Sequence, residues 1–347
     1  MSIRIFKYLS PLILYLLVFR AFRCHGWEVW LPMVFSWIVI PGAELFIKPD
    51  DHNLSAAEEE VAKKNIAYDI MLYIIVPMQF TALYFFLQSM QETGLTGWDR
   101  AGRILSMGMC CGIFGINVGH ELGHRIHLYE QWMAKALLST SLYMHFFIEH
   151  NRGHHKRVAT PEDPSSARFN EPVYSFYFRT IIFSYLSAWH IAGRECSKRG
   201  HSVFSLHNEM IQAHLLQLSL LILVYYFFGG TALICFLIAA LIGILLLETV
   251  NYIEHYGLSR KQTGQGVYER TMPHHSWNSN HVIGRIMLFE LSRHSDHHYL
   301  ASRKYQVLRH HDDSPQLPTG YPGSMLLALI PPLWFRVMNK RIRMANP

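Results

Sequence analysis

Apolar segments long enough to cross a membrane recur along most of this chain, and that pattern restricts what it can fold into. A hydrocarbon core of about 30 Å takes around 20 apolar residues in helix. Half of the 347 residues are hydrophobic and only 16% are charged, below the quarter usual in soluble domains. The expected fold is therefore all-α and integral to a membrane, with about six transmembrane helices. The spans are read at Leu9–Phe22, Trp27–Phe46, Tyr68–Met90, Ala101–Gly119, Leu215–Phe228 and Thr231–Thr249. Gly229 and Gly230 separate the last two and suit a tight connection. Trp132–Ile148 is also apolar, but it carries His145 and reads as a partly embedded helix.

No Pro, Gly or Ser-rich linker divides the chain, so 1–347 is read as a single membrane-bound domain. Within it, 1–119 holds the first four membrane helices and 215–255 the last two. The polar stretches 120–214 and 256–347 form a His-rich helical cap. Most of the 31 Lys and Arg residues lie in 152–210 and 256–347, which the positive-inside tendency assigns to the cytoplasm. Arg4 and Lys7 precede the first apolar stretch, which continues into a second without a small-residue cleavage site and reads as an anchor.

The formal charge of +6 does not indicate nucleic acid, because the basic residues form no arm or recognised binding module. Five scattered cysteines without a CxxC pair indicate neither a disulfide framework nor an iron–sulfur site. Cys110 and Cys111, inside an apolar helix, read as small packing residues.

Four groups of histidines stand at or just beyond the ends of apolar segments: His120/His124, His150/His154/His155, His255 and His294/His297/His298. Imidazole favours iron, copper, nickel or zinc over hard cations. Histidines at i and i+4 lie on one helical face, which suits chelation. Taken alone, His120-Glu121-Leu122-Gly123-His124 is the HExxH of zinc proteases, with Glu121 as general base. That reading leaves seven of the nine histidines without a role, and nine imidazoles exceed what one ion can use. A metal transporter or bis-histidine haem anchor would place its ligands near the middle of the membrane instead. Two metal ions at one membrane face account for the pattern. His127, His145, His274, His275 and His281 flank the clusters as supporting or surface groups, whereas His214 and the remaining histidines read as ordinary.

Ligating imidazoles usually hand their second nitrogen to a carboxylate or carbonyl. Glu121, Glu149, Glu254 and Asp296 each adjoin a cluster histidine and are the candidates, Glu254 foremost because it closes a membrane span.

The same residues carry a resemblance. His120–His124, Glu149-His150-Asn151-Arg152-Gly153-His154-His155, Asn251-Tyr252-Ile253-Glu254-His255-Tyr256-Gly257 and Arg293-His294-Ser295-Asp296-His297-His298 resemble the integral-membrane alkane 1-monooxygenases, of the fatty-acid desaturase and hydroxylase superfamily. The likeness extends through Pro273–His281 and Leu317–Gly323. It implies a six-helix membrane domain in the cell inner membrane and a cytoplasmic, non-haem diiron centre. The implied reaction is hydroxylation of medium- to long-chain n-alkanes to 1-alkanols with O₂. The nine histidines carry over as iron ligands. A related hydroxylase or desaturase of fatty-acyl or aromatic substrates would share metals and fold.

The resemblance also implies an electron donor, since the chain has no flavin or nicotinamide fingerprint: a rubredoxin reduced by an NAD(P)H-dependent reductase. Arg152, Lys156 and Arg157 offer such an acidic partner a complementary face. An alkane presents no hydrogen bond, so its selection rests on shape and apolar burial, about 0.8 kcal/mol per methylene. The second span resembles the family helix that lines the substrate tunnel, which makes Ser36, Trp37 and Ile40 the substrate-binding candidates.

Overall fold

In the computed structural model, which describes residues 3–345, three helices are long and apolar enough to cross a membrane: Ile66–Ser89, Gly97–Gly123 and Glu209–His255. The first two coincide with the third and fourth expected spans. The third, at 47 residues, is about twice the length one crossing requires. Its backbone is interrupted at Gly229, whose φ of 78° and ψ of 175° lie in a region essentially reserved for glycine. The break falls at the expected junction between the fifth and sixth spans.

The first two expected spans are less regular. Pro11–Ala21 is an 11-residue helix, preceded by a 3₁₀ segment at Ile3–Leu9. The second is assembled from short pieces: 3₁₀ at Gly26–Trp30, α at Leu31–Val34, π at Phe35–Val39 and α at Ile40–Glu44. Pro32 and Pro41 explain the fragmentation. A proline withholds an N–H and its ring crowds the carbonyl four residues back, which for Pro41 is that of Trp37 inside the π segment. Ser36 and Ile40 are buried on this stretch, while Trp37 is half-buried.

Trp132–Ile148 does not form one helix. The Leu128–Ser139 helix ends, Leu142 takes a positive φ of 53°, and a new helix runs His145–Glu149. Between Glu149 and Glu209 lies an amphipathic helix, Val173–Lys198, with Tyr174, Phe178, Ile182, Phe183 and Leu186 exposed. The only strands among the described residues are the antiparallel pair Gln262–Gly264 and Val267–Tyr268.

The chain forms two compact units, 3–36 with 67–149 and 185–247, and 37–66 with 150–184 and 248–345. In the first, the Gly97–Gly123 and Glu209–His255 helices meet through small residues. A Cβ on Gly243 would stand 2.5 Å from the Cys111 Cβ and 3.0 Å from the Gly112 amide nitrogen, and one on Gly108 would stand 2.5 Å from Ile242 Cγ2. Small residues permit this approach, which replaces the hydrophobic effect as the association force inside lipid. Cys110 and Cys111 are buried free thiols at this crossing.

In the second unit, Tyr252 and Tyr256 pack against Trp334 with ring centroids 5.5 and 5.4 Å apart. Trp277 donates from its backbone N–H to the Glu254 carbonyl and from its indole to the Tyr256 carbonyl, each at 2.8 Å. Asn278 exchanges backbone hydrogen bonds of 2.8 Å with Pro315 and Leu317. These contacts tie the 273–281 and 314–322 loops to the end of the Glu209–His255 helix.

Because the Gly243 contact is to backbone, it cannot be relieved by a side-chain rotation. Gly243→Val should cost about 1–3 kcal/mol through overpacking, read as a lower unfolding midpoint in detergent micelles; an unchanged midpoint would contradict the close crossing.

Candidate metal centre

The last histidine cluster shows how the local fold aims imidazoles. His294–Tyr299 is a short helix in which His294, His297 and His298 stand at i, i+3 and i+4, on one face. The intervening residues are held elsewhere. Ser295 donates to Asn278 at 3.1 Å and accepts from Ser314 at 2.8 Å. The Asp296 carboxylate accepts from Arg303 at 2.6 and 2.8 Å, from the Arg309 backbone N–H at 2.9 Å and from His311 at 2.7 Å. Arg293, at the helix start, donates to the Leu308 carbonyl at 2.7 Å and the His52 carbonyl at 2.8 Å. With its other side pinned, the helix presents its three rings together.

The His150 cluster uses a different device. His150–His154 is a π segment leading into an α turn at His155–Arg157. The wider i to i+5 turn brings i, i+4 and i+5 to one side, which is the spacing of His150, His154 and His155.

Within the second unit these rings separate into two sets. Nitrogen atoms of His154, His255, His294 and His298 all lie within 4.8 Å of one another, and all four residues are buried. The approach is through Nε2: His154 to His298 at 3.2 Å, and His255 to His294 at 3.2 Å. Metal–nitrogen bonds of about 2.1 Å at right angles would set neighbouring ligands about 3 Å apart, so the spacing suits a cation. The other set is His150, His155 and His297, whose Nε2 atoms approach at 3.0 Å (His150 to His155) and 3.1 Å (His155 to His297). In the first unit, His120 and His124 stand with ring centroids 4.9 Å apart.

The electrostatics keep these rings available as ligands. Burial, reinforced by neighbouring His154, pushes His297 down to about 3 against the opposing pull of Asp296. Burial likewise holds His298 well below the ordinary histidine range. A neutral imidazole has a lone pair to give, and that is the form a metal binds.

One supporting carboxylate was not legible in the sequence. Asp163, fully enclosed, receives the His154 Nδ1–H at 2.9 Å, the Ser166 hydroxyl at 2.6 Å and the Ser165 backbone N–H at 3.2 Å. Placing the proton on Nδ1 turns the Nε2 lone pair toward the other three rings. Asp163 adjoins no histidine in sequence, so only the turn at 158–166 brings it there.

The four carboxylates chosen by adjacency fall in different surroundings. Glu254 is buried beside the tetrad, with Oε2 3.1 Å from His294 Nε2 and Oε1 accepting the Tyr321 hydroxyl at 2.6 Å. Asp296 faces Arg303 and His311, as above. Glu149 accepts from Ser187 at 3.4 Å. Glu121 is ion-paired to Arg125 at 2.8 Å, and Arg125 also reaches Asp69 at 3.1 Å. A carboxylate held in that buried pair is poorly placed to serve as the general base of a zinc protease.

Comparison with known proteins agrees with this chemistry. The fatty acid desaturase family profile matches residues 97–324. An alkane 1-monooxygenase of Pseudomonas putida is 40% identical over 320 residues, covering 91% of this chain and 79% of that protein. Alkane 1-monooxygenase 1 of Pseudomonas aeruginosa is 49% identical over 253 residues, 73% of this chain and 66% of its own length. The hydroxylase component of a P. putida xylene/toluene monooxygenase is 34% identical over 243 residues, 69% and 63% of the two chains.

Removing the charge that orients His154 should weaken the tetrad without unfolding it. Asp163→Asn is expected to lose about 10–100-fold in metal affinity, measured by competition with a chromogenic chelator; undiminished affinity would show that Asp163 does not orient the ligand.

Proposed function

This chain belongs to the fatty acid desaturase family and, within it, to the alkane 1-monooxygenases; we propose that it hydroxylates the terminal carbon of medium- to long-chain n-alkanes, giving 1-alkanols. The oxidant is O₂ and the electrons come from a reduced rubredoxin served by an NAD(P)H-dependent reductase. The observation that carries this reading is the convergence of four buried imidazole nitrogens within 4.8 Å, in a chain 40% identical to an alkane 1-monooxygenase over most of its length.

The donor set fits two non-haem irons. His154, His255, His294 and His298 would hold one, and His150, His155 and His297 would serve the other; His120 and His124 are proposed as iron ligands on the family resemblance. Bound iron supplies O₂ activation and cleavage of the C–H bond. The protein's own share is positional. Asp163 fixes the tautomer of His154, Glu254 and Tyr321 form a buried acid pair beside the tetrad, and enclosure keeps water from the reacting carbon. The HExxH reading has no support in this geometry, because Glu121 is engaged by Arg125.

Six spans are proposed, with the first two completed by the irregular segments at either end of the Pro11–Ala21 helix. The protein would lie in the inner membrane with its histidines on the cytoplasmic face. Apolar burial along the tunnel selects the substrate, each further methylene contributing about 0.8 kcal/mol. Ser36, Trp37 and Ile40 are proposed to line it. Ser36 is buried on the π turn, where a small side chain leaves the passage long.

Membranes containing the protein, supplied with rubredoxin, its reductase, NADH, O₂ and a ladder of n-alkanes, should yield 1-alkanols, with two irons per chain by metal analysis and no product when rubredoxin is omitted. Zinc alone, or no alcohol at any chain length, would overturn the assignment. In the same assay Ser36→Trp should shift the product profile to shorter alkanes, and an unchanged profile would remove Ser36 from the tunnel.

A further inference from the structure

A file of aromatic rings in the first unit leads from the His120 ligand segment to the surface. His120 packs on Phe146 at 6.2 Å between centroids, Phe146 on Tyr143 at 6.0 Å, Tyr143 on His145 at 4.4 Å, and His145 on Tyr185 at 5.3 Å. The Tyr185 hydroxyl lies 3.0 Å from Nε2 of the exposed His214, and His214 is in ring contact with Trp189 at 5.6 Å. Trp189 lines a surface groove with His190, Arg194 and Lys198. No ring-to-ring step exceeds 6.2 Å.

The Tyr185–His214 hydrogen bond has a defined sense. His214 Nδ1 is 2.6 Å from the Met210 carbonyl, which can only accept, so Nδ1 carries the proton of the neutral ring. Nε2 is then an acceptor, and the Tyr185 O–H donates to it. A phenol loses an electron readily only when its proton has somewhere to go, and this base provides the place. His145, between the two tyrosines, is pushed down to about 4 by burial and by the neighbouring His214, so the ring stays neutral. A permanent positive charge there would oppose passage of an electron vacancy.

We propose that Tyr143, His145, Tyr185, His214 and Trp189 form a proton-coupled outlet through which an oxidising equivalent left unused at the metal centre leaves the protein. The proposal rests on the oxygenase reading above. Tyrosine and tryptophan conduct by first giving up an electron, which only a strong oxidant can demand. The route therefore serves escape of oxidising power, not entry of electrons from a low-potential donor. Tyr185 passes one electron inward through Tyr143 while its O–H bond breaks and the proton moves to His214 Nε2, leaving a neutral phenoxyl and an imidazolium. Trp189 then returns an electron to Tyr185, the proton moves back to the phenolic oxygen, and a thiol in the surrounding water supplies one electron to Trp189 and releases its own proton. Each passage reduces the metal centre by one electron at the expense of one thiol.

The relay would matter when O₂ is activated and no alkane is bound. Iron-loaded, full-length protein in lipid nanodiscs would be reduced, mixed with O₂ without alkane, frozen, and examined by electron paramagnetic resonance. A tyrosyl signal is expected that narrows with ring-deuterated tyrosine and is lost in Tyr185→Phe. The same variant should hydroxylate alkane at the wild-type initial rate yet inactivate several-fold faster when alkane is withheld, with less oxidation of Trp189 by peptide mass spectrometry. A second arm needs no metal: oxidation of the iron-free chain by a ruthenium polypyridyl photooxidant should generate the Tyr185 radical with a solvent deuterium isotope effect that His214→Gln abolishes. Alcohol formation without any Tyr185-dependent radical, or a photochemical radical indifferent to His214, would overturn the relay. Failure to bind iron or form alcohol would instead overturn the oxygenase reading, and the photochemical arm would still decide for or against the relay.

Discussion

Unprotonated imidazole nitrogens aimed at one another repel unless something positive lies between them, and the second unit holds seven such rings in two tight sets. Burial holds His297 and His298 in the neutral form. A metal cation is the positive charge that satisfies every member of such a set at once. Much of the second unit can be understood as scaffolding that holds these rings in place: Asn278 and Ser314 restrain Ser295, Arg303 and His311 restrain Asp296, and Trp277 braces the backbone around Glu254.

The anchoring is hierarchical. Buried cations are themselves committed to carbonyls, as when Arg293 donates to Leu308 and His52. Arg285 is paired with Asp50 and with Glu290, each at 2.9 Å. Buried charge is tolerated only where it is paired and hydrogen-bonded. Segments remote in sequence, 50–53 and 285–309, are thereby joined within one unit.

Much of this was legible in the sequence where a periodic or compositional signal exists. The third and fourth spans and the Gly229 junction follow from apolar runs and a glycine pair, and the HxxHH spacing foretells one helical face. What escaped has no such signature. Asp163 reaches His154 through a loop, so no fixed spacing marks it. Trp132–Ile148 is apolar throughout, and composition cannot reveal the turn at Leu142. Val173–Lys198 alternates exposed aromatic residues with Arg179, Thr180 and Ser184, a pattern too polar for a span and easily passed over as cap. Tyr185 and His214 lie on different helices, and His214, read as ordinary, gains meaning only from what it touches.

The single non-helical residue at Gly229 separates two mechanical duties within one 47-residue element. The arm after it ends on Glu254 and His255, so its length sets a rotation: one inserted residue would swing His255 by about 100°. The arm before it carries His214 but no cluster histidine. A change of length before Gly229 therefore leaves the phase of His255 as it is, whereas a change after it does not.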